Sequence, residues 1–551
     1  MTTLRPYQRT AVASAFTEWQ DHDSTLIVMP TGTGKSVVFA DIIQRIQPKR
    51  ALVLAHRAEL ISQAYRHVER CGLDVDVEMA DLWAGDNLWN NKPVVVSTVQ
   101  TQISGNGGKG RMERFDPFDF GLIICDEAHH FTAQSFVRVL DYYRQNPDLK
   151  ILGVTATPDR ADEQALGQVF QSVAYDYEIL DAIKDGWLVP IEQQMVTIDG
   201  LDFSEIRTTA GDLNGADLAA VMEAEKNLHG IVSASMGIIG NRRTLVFAVT
   251  VRQAELYSEI FNRHKPGMAD WVCGKTPKDQ RHETFRKFGN GATQILVNVG
   301  VATEGYDNPA VEVIVQARPT KSRCLYAQMV GRSTRPLPGI VDPFESPEER
   351  RAAIAGSAKP SSLVIDFVGN AGRHKLITTA DILGGKVSDE AIERAVAKAK
   401  AKGKAVNMAG ELDHEEREIR EEVEERRRRD AARRARIIGK AQFSTRTINP
   451  FDVFQMEPAR VRGWDAGKAL TEKQANLLRK QGMDPSEMSY SQARQVLSEL
   501  FRRWDGKLCT LKQANLLRKH GYETKELTMA AASELIDALA RNNWRRPEQA
   551  A

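Results

Sequence analysis

Short, nearly continuous apolar runs alternate with helix-like stretches along most of the chain. A first series covers 25–30, 51–56, 93–98, 121–127 and 151–157, and a second covers 244–249, 271–274, 293–298, 312–317 and 362–368. Strands that are buried on both faces of a parallel sheet have this pattern, and the intervening helices cover the two faces. The pattern therefore predicts two α/β domains in tandem, 1–190 and 191–385, divided near residues 186–190.

The composition changes after the second series. Residues 386–440 are rich in Ala, Glu and Arg and contain few large apolar side chains. The segment shows no sustained apolar heptad, so a solvated helical linker is favoured over a coiled coil.

An internal repeat follows. The segment LTEKQANLLRKQG (470–482) recurs as CTLKQANLLRKHG (509–521), and each copy precedes a second helical stretch. Gly482 and Gly521 stand where the first helix of each copy should end. Residues 441–551 are therefore predicted to form a small all-α domain built from a duplicated helical hairpin.

Composition and charge narrow the class of protein. The chain has 551 residues, 42% of them hydrophobic and 27% charged, with a net charge of +1, so nucleic-acid binding would have to come from local patches. No stretch approaches the roughly 20 apolar residues that cross a bilayer, and the N-terminus shows no signal-peptide run. Five scattered cysteines form no CxxC pair, so no zinc site is expected. We expect a cytoplasmic protein without membrane contact, in the host cytoplasm if a phage encodes it.

The sequence MPTGTGKS (29–36) lies between a predicted buried strand and a helical stretch. Glycines there let backbone N–H groups surround phosphates at a helix N-terminus. Lys35 would reach the β- and γ-phosphates of ATP, and the Ser36 hydroxyl would hold Mg²⁺. An ordinary Gly-rich turn is the alternative, and the strand–loop–helix context disfavours it, although Met29 stands where the general motif has Gly. The residues expected to contact ATP in this loop are Thr31, Gly32, Thr33, Gly34, Lys35 and Ser36.

Acidic residues end a second buried strand in GLIICDEAHH (121–130). Asp126 would bind Mg²⁺ through water, and Glu127 would orient and deprotonate the attacking water. Acidic residues also end many strands without a catalytic role. The two motifs together make that alternative improbable.

Six motifs in order carry a family resemblance: LRPYQ (4–8), PTGTGKS (30–36), DEAH (126–129), TATP (155–158), ATEGYDNP (302–309) and QMVGRSTRP (328–336). Together they resemble the motifs of superfamily 2 helicases and cover about residues 4–370. LRPYQ and LAHRAELISQ (54–63) are similar to bacterial and phage DEAH enzymes of the RadD and restriction-motor type. The resemblance implies two RecA-like domains with ATP between them.

The resemblance also implies roles in the first domain. Gln8 would read the adenine edge, with Arg5 nearby, although a Tyr-Gln pair alone is more often a plain helix start. Thr155 and Thr157 would couple the ATP site to the nucleic-acid cleft, with His129 as their partner. A histidine at that position could equally be a satisfied core residue.

In the second domain, Arg332 and Arg335 match the arginines that reach into the ATP site. Their i, i+3 spacing would point both to one side of a helix. Without the neighbouring motifs, these two arginines would be interpreted as part of a solvent-exposed basic surface. Gln328 would help to hold the attacking water, and Gly305 and Asp307 would approach the nucleotide.

Nucleic acid is expected along the opposite edge of both domains. The expected backbone contacts follow strands at matching loop positions, and each could instead be an ordinary surface residue: His56, Arg57, Thr98, Gln100, Thr250, Arg252 and Thr303. Contacts to phosphates carry no sequence information, which suits a protein that slides.

The C-terminal repeats carry exposed-looking Lys and Arg and end in Trp504 and Trp544. Stacking and charge together could bind single strands. Core packing of the tryptophans and docking of a protein partner are equally open.

The resulting hypothesis is an ATP-dependent, Mg²⁺-dependent helicase or translocase, with DNA favoured over RNA as its substrate. An RNA helicase is one alternative. Another is a non-unwinding ATPase switch that recruits partners through its helical repeats. No nuclease motif is evident, which argues against a complete restriction enzyme in this chain.

Overall fold

The computed structural model describes residues 4–56, 58–80, 82–85, 92–105, 110–131, 134–156, 166–209, 211–303, 306–372, 374–384, 387–437, 450–454, 456–459, 463–465 and 467–542. The chain divides into two compact units, Met1–Glu424 and Glu425–Ala551. The first unit contains two large β-sheets, and the second is helical.

The first sheet is parallel throughout, in the order β3-β4-β2-β5-β6-β1-β7. Its strands are β1 Ser24–Val28, β2 Arg50–Ala55, β3 Val75–Glu78, β4 Val94–Thr98, β5 Phe120–Asp126, β6 Lys150–Thr155 and β7 Ser172–Asp176. Strands β1, β2 and β4 are buried at every position, because helices cover both faces of the sheet.

The helices of this domain are α1 Pro6–Glu18, α2 Lys35–Arg45, α3 Ala58–Arg70, α4 Val99–Ile103, α5 Gln134–Tyr143 and α6 Ile179–Lys184. Short 3₁₀ turns cover Arg111–Arg114, Pro117–Asp119 and Ala128–His130. Strand β1 leads into α2, and its neighbours in the sheet are β6 and β7. The carboxyl ends of β1, β5 and β6 therefore meet at one edge, where they place the candidate site.

The second sheet has the order β12-β13-β11-β14-β15-β8-β16, and only β16 runs antiparallel to its neighbour among the pairings described. Its strands are β8 Ile191–Asp202, β11 Thr244–Phe247, β12 Ala269–Cys273, β13 Ile295–Val299, β14 Val313–Gln316, β15 Ser362–Asn370 and β16 Val406–Asn407. A small ribbon pairs β9 Thr208–Thr209 with β10 Asp212–Leu213.

The helices of this second domain are α7 Gly215–Met222, α8 Glu225–Ile239, α9 Val251–His264, α10 Lys278–Asn290, α11 Arg323–Gly331, α12 Pro347–Ala355, α13 Thr379–Leu383 and α14 Asp389–Lys402. A further helix, α15 Met408–Ile437, begins in this domain. Two α/β domains with parallel sheets, followed by a helical region, confirm the fold class predicted from the apolar runs. None of the helices in the described ranges has the length and apolar character that crossing a membrane requires.

The segment 386–440 departs from the predicted solvated linker. Helix α14 buries Ile392 and Ala395, β16 joins the second sheet, and Leu412 at the start of α15 is fully buried. Small alanine side chains let α14 approach the sheet closely, so the few large apolar residues are sufficient. The first compact unit accordingly extends to Glu424.

The second unit contains α16 Pro450–Phe454, α17 Glu472–Lys480, α18 Tyr490–Asp505, α19 Leu511–Lys519 and α20 Met529–Arg541. Its two repeat helices, α17 and α19, begin at capping boxes on Thr471 and Thr510. Gly482 and Gly521 follow these helices with φ of +81° and +78°, the left-handed conformation that ends a helix.

Candidate ATP site and nucleic-acid interface

The loop between β1 and α2 has the shape of a phosphate cradle. Gly32 and Gly34 have φ of +92° and +82°, a region that favours glycine. A Cβ on Gly34 would lie 2.6 Å from Gln8 Nε2, so a side chain there would displace Gln8. The backbone is thus free to approach a ligand at the N-terminus of α2.

Helix α1 supports this loop from behind. Tyr7 Oη and Gln8 Nε2 each donate a 2.8 Å hydrogen bond to the carbonyl oxygen of Thr33. Gln8 Oε1 accepts from the backbone N–H of Arg5 at 2.9 Å. Gln8 is therefore buried against the cradle, and its predicted contact with adenine remains a prediction. The Arg5 guanidinium lies 4.5 Å from the centre of the Trp187 ring and forms an ion pair with Asp342 of the second domain.

Two of the predicted catalytic groups of the first domain are in direct contact. Lys35 Nζ donates to Glu127 Oε1 at 3.0 Å, and both side chains are about nine-tenths buried. Glu127 has φ +53°, and few residues with a side chain adopt this conformation. Strain of this kind is concentrated at functional sites. Asp126 ends β5, and its Oδ1 accepts from the Glu127 N–H at 3.1 Å. Ser36, in the first turn of α2, is half-buried.

His129 touches both domains. Its Nδ1 lies 2.9 Å from Thr155 Oγ1, as the coupling hypothesis requires. Its Nε2 lies 3.3 Å from Cys324 Sγ on α11 of the second domain. Sequence reasoning missed Cys324, because no motif marks a residue whose partner lies 195 positions away. Thr157 lies outside the described residues.

One face of α11 covers this edge of the first domain. Cys324, Gln328 and Gly331 are spaced i, i+4 and i+7, so they share that face. A Cβ on Gly331 would lie 2.9 Å from Thr31 Cβ in the phosphate loop. Gln328, between these two contacts, is buried, and its Nε2 has no hydrogen-bond partner among the described residues. A buried amide that faces this contact is suited to hold a water or phosphate oxygen.

The helical spacing predicted for Arg332 and Arg335 is wrong. Helix α11 ends at Gly331, and the chain turns immediately afterwards. The Arg332 guanidinium donates to the carbonyl oxygens of Thr303 and Tyr306. Arg335 instead forms an ion pair with Asp307, and its Cγ would lie 3.0 Å from a Cβ on Gly32. Arg335 is therefore placed at the phosphate loop, whereas Arg332 holds the loop that begins at Thr303.

That loop contains the remaining nucleotide contacts predicted for the second domain. The Asp307 carboxylate is about half-exposed beside Arg335. Thr303 is buried, and its hydroxyl donates to the Gly300 carbonyl at 3.1 Å, so its predicted contact with a nucleic-acid phosphate would require this bond to break. Gly305 lies outside the described residues.

A buried network ties α11 to the second sheet. Tyr326 Oη donates to the Asp366 carboxylate at 2.7 Å, and Gln193 Nε2 donates to the same group. Burial raises the pKa of Asp366 to about 6, and these two donors partly oppose the shift. Asp366 thereby fixes the helix that carries Gln328 and Gly331.

The candidate nucleic-acid contacts of the first domain follow β2 and β4. The ring of half-buried His56 lies 3.8 Å from that of His130, which in turn lies 4.1 Å from His129. Sequence reasoning did not single out His130. Thr98 is buried and caps α4 by accepting from the Thr101 N–H, whereas Gln100 is exposed. Arg57 lies outside the described residues.

In the second domain, the two candidates at the start of α9 share an acidic partner. Thr250 caps α9 by accepting from the Gln253 N–H, and its hydroxyl donates to Glu223. Arg252 is 77% exposed, with its Nε 3.9 Å from Glu223. Arg252 is therefore accessible to a phosphate, and Thr250 is engaged within the protein.

These groups fit ATP and Mg²⁺. A glycine cradle that a Cβ would fill, a lysine beside it and the buried Gln328 amide suit a triphosphate. The Ser36 hydroxyl and Asp126 carboxylate are the hard oxygen ligands that Mg²⁺ prefers.

Comparison with known proteins agrees with this geometry. Residues 1–160 match the family model of the type III restriction enzyme res subunit, and residues 231–336 match the helicase conserved C-terminal domain. IRC3 of Saccharomyces cerevisiae, named as an ATP-dependent helicase, is 30% identical over 353 residues, 60% of this chain and 49% of its own. The DNA 3'-5' helicase XPB of Mycobacterium tuberculosis is 29% identical over 347 residues, 60% of this chain and 58% of its own.

The chain thus spans about half the length of the curated relatives it matches. The solved structure of the ATP-dependent Type ISP restriction-modification enzyme LlaBIII bound to DNA covers 98% of this chain and 40% of its own, with 15% identity and a TM-score of 0.49. Both family models match in the order that the motifs predict. The chain therefore carries, in this order, a segment that matches the type III restriction enzyme res subunit and a segment that matches the helicase conserved C-terminal domain.

Proposed function

We propose that this protein is an ATP-dependent helicase or translocase that acts on DNA. The observation that carries the proposal is the contact between the two α/β domains at the phosphate loop. Gly331 and Arg335 of the second domain meet Thr31 and Gly32 of the first. An ATP site completed by both domains links the state of the nucleotide to the distance between them.

The ion pair of Lys35 and Glu127 suggests how hydrolysis begins. A phosphate at the cradle competes for the Lys35 ammonium and separates it from Glu127. The Glu127 carboxylate is then available to accept a proton from the attacking water. Mg²⁺, held by Ser36 and through water by Asp126, would neutralise charge on the phosphates. Arg335 would stabilise the charge that develops during transfer, an effect worth about 10³–10⁵ in rate for arginine fingers.

His129 supports a route from this site to the other domain. Its ring nitrogens contact Thr155 in the first domain and Cys324 in the second. Because Glu127 Oε2 lies 3.7 Å from His129 Nδ1, rearrangement at Glu127 reaches both contacts. We propose that this link converts hydrolysis into a change in the domain contact.

The preference for DNA rests on the relatives. XPB is named as a DNA 3'-5' helicase, and so are several similar proteins from haloarchaea and bacteria. Exposed Gln100 and Arg252 supply polar and basic groups to a DNA backbone without reading its sequence.

Strand displacement on matched forked substrates tests the proposal. With ATP and Mg²⁺, the protein should separate forked DNA faster than forked RNA. Displacement of RNA alone would identify an RNA helicase. Hydrolysis stimulated by nucleic acid without any displacement or movement would identify a switch.

For the second unit we propose an accessory role in binding single-stranded DNA. Trp504 and Phe501 form an exposed pair with ring centres 5.4 Å apart, and exposed aromatic rings can stack on bases. Arg502 is engaged with Glu499 and Glu526, and Arg503 is buried, so neither contributes a free cation. Trp504→Ala should weaken binding to single strands without changing ATP hydrolysis at saturating DNA. Trp544 lies outside the described residues.

A further inference from the structure

Lys359, just before β15, is a buried lysine that none of the family motifs contains. Its side chain is about 1% exposed, and Nζ donates 2.7 Å hydrogen bonds to the carbonyl oxygens of Pro309 and Arg335. No carboxylate of the described residues lies within ion-pair distance of this Nζ. We call this pair of hydrogen bonds the Lys359 clamp.

A buried ammonium that is paired only with carbonyl groups is costly, because it loses its hydration without gaining a counter-ion. Burial lowers the pKa of Lys359 to about 7, and the more distant charge of Glu312 opposes the shift. A methionine of similar volume would usually pack at such a position without this cost. The lysine therefore supplies something that packing alone does not.

The two carbonyl groups belong to two of the segments that the second domain contributes to the candidate site. Pro309 ends the loop that starts at Thr303 and contains Asp307. Arg335 is the residue placed against Gly32 of the phosphate loop. The same loop is bound by the Arg332 guanidinium at Thr303 and Tyr306 and by Arg335 at Asp307.

We propose that Lys359 is a positioning residue that holds the backbone of Arg335 so that its guanidinium reaches the phosphate loop. The inference rests on the proposed function, because it assigns Arg335 a role in ATP hydrolysis. The side chain of Arg335 projects from an irregular segment after the end of α11, where no helix fixes its direction. The Lys359 clamp provides that constraint by joining the Arg335 backbone to the loop that also binds its guanidinium.

A double-mutant cycle of Lys359→Met and Arg335→Ala in the full-length protein tests this role. The Arg335→Ala substitution keeps the backbone carbonyl, so it removes the guanidinium without removing an acceptor of the clamp. Each protein is assayed for kcat and KM of ATP hydrolysis at saturating single-stranded DNA and for its melting temperature. Arg242→Met is the matched control, because Arg242 donates to the carbonyl groups of Ile238 and Ile239 at the end of α8.

Lys359→Met should lower kcat on the order of 10-fold or more, as misplacement of a catalytic group does, and leave KM for ATP nearly unchanged. In the Arg335→Ala background it should have almost no further effect. Arg242→Met also removes donors to two backbone carbonyl groups, and it should keep its kcat whatever its melting temperature. Lys359→Gln keeps hydrogen-bond donors without the charge, so its kcat should be higher than that of Lys359→Met. If Lys359→Met does not fold, Lys359→Gln takes its place in the double-mutant cycle.

An equal fold-loss from the lysine substitution in both backgrounds would overturn the inference, because Lys359 would then act independently of Arg335. If Lys359→Met had the same kcat as the unsubstituted protein, the inference would also be overturned. If Arg335→Ala alone left hydrolysis unchanged, the failure would lie in the proposed role of Arg335. The two failures are therefore distinguishable.

Discussion

Substituting Gly331 by alanine should separate the two halves of the ATP site without removing any functional group. Gly331 ends α11, and its Cα faces Thr31 of the phosphate loop. An added Cβ would lie 2.9 Å from Thr31 Cβ, whereas carbon atoms in contact normally lie about 3.5–4.0 Å apart. The closest atom is a Cβ fixed to the backbone, so rotation of a side chain cannot relieve the clash.

The domains must therefore move apart locally by about 0.6–1.1 Å, the difference between the normal and the imposed distance. Arg335, four residues later in the chain, moves with them. A displacement of about 1 Å at a catalytic site can cost about 10²-fold in rate, which corresponds to about 2.7 kcal/mol in the activation free energy. ATP binding should change little, because the phosphate loop belongs to the first domain.

Steady-state ATP hydrolysis at saturating single-stranded DNA measures both effects. Gly331→Ala should lower kcat about 10²-fold with KM for ATP within about 3-fold. Gly237→Ala is the matched control, because Gly237 lies in α8 with no atom within 4 Å of an added Cβ. If the two variants had the same kcat, the reasoning that the α11 contact completes the site would be refuted.

Three further predictions each concern a single residue. Glu127→Gln should lower hydrolysis about 10²–10⁴-fold and retain ATP binding, and near-normal turnover would remove Glu127 as the general base. Gly34→Ala should raise KM for ATP. The φ of +82° costs about 1–2 kcal/mol for a residue with a side chain, and the added Cβ would displace Gln8 from the loop. An unchanged KM would contradict the role of this loop in binding phosphate. Asp366 has a folded pKa of about 6, raised above its ordinary value of 3.8. The stabilisation linked to this raised pKa should therefore be full below about pH 4 and be lost as the pH rises through 6. In urea unfolding experiments, Asp366→Asn should abolish this pH dependence of the free energy of unfolding. The same pH dependence in both proteins would exclude Asp366 as its source.

The central strands could be predicted because burial on both faces leaves an uninterrupted apolar run in the sequence. Strands β3 and β7 were not predicted: both lie at the edges of the first sheet and contain partly buried polar positions such as Asp76. Strand β8 begins by alternating buried and partly buried residues, and this pattern predicts a strand less clearly than an uninterrupted apolar run does. The phosphate loop and Asp126–Glu127 were found because their chemistry depends on residues adjacent in sequence.

The contacts between domains could not be predicted in the same way. Cys324 and Gly331 have meaning only because α11 lies against the first domain, and neither residue type indicates a partner. The direction of Arg332 depends on where α11 ends, which the sequence QMVGRSTRP leaves open. Lys359 is one of many lysines in the chain until the fold buries it.

The rate of ATP hydrolysis, measured in parallel with single-stranded DNA, double-stranded DNA, RNA and no nucleic acid, tests the central claim most directly. A motor on DNA requires hydrolysis that DNA stimulates and that Glu127→Gln abolishes. We expect stimulation by at least one form of DNA and much less by RNA. A rate that is independent of all three nucleic acids, or that only RNA increases, would contradict the account.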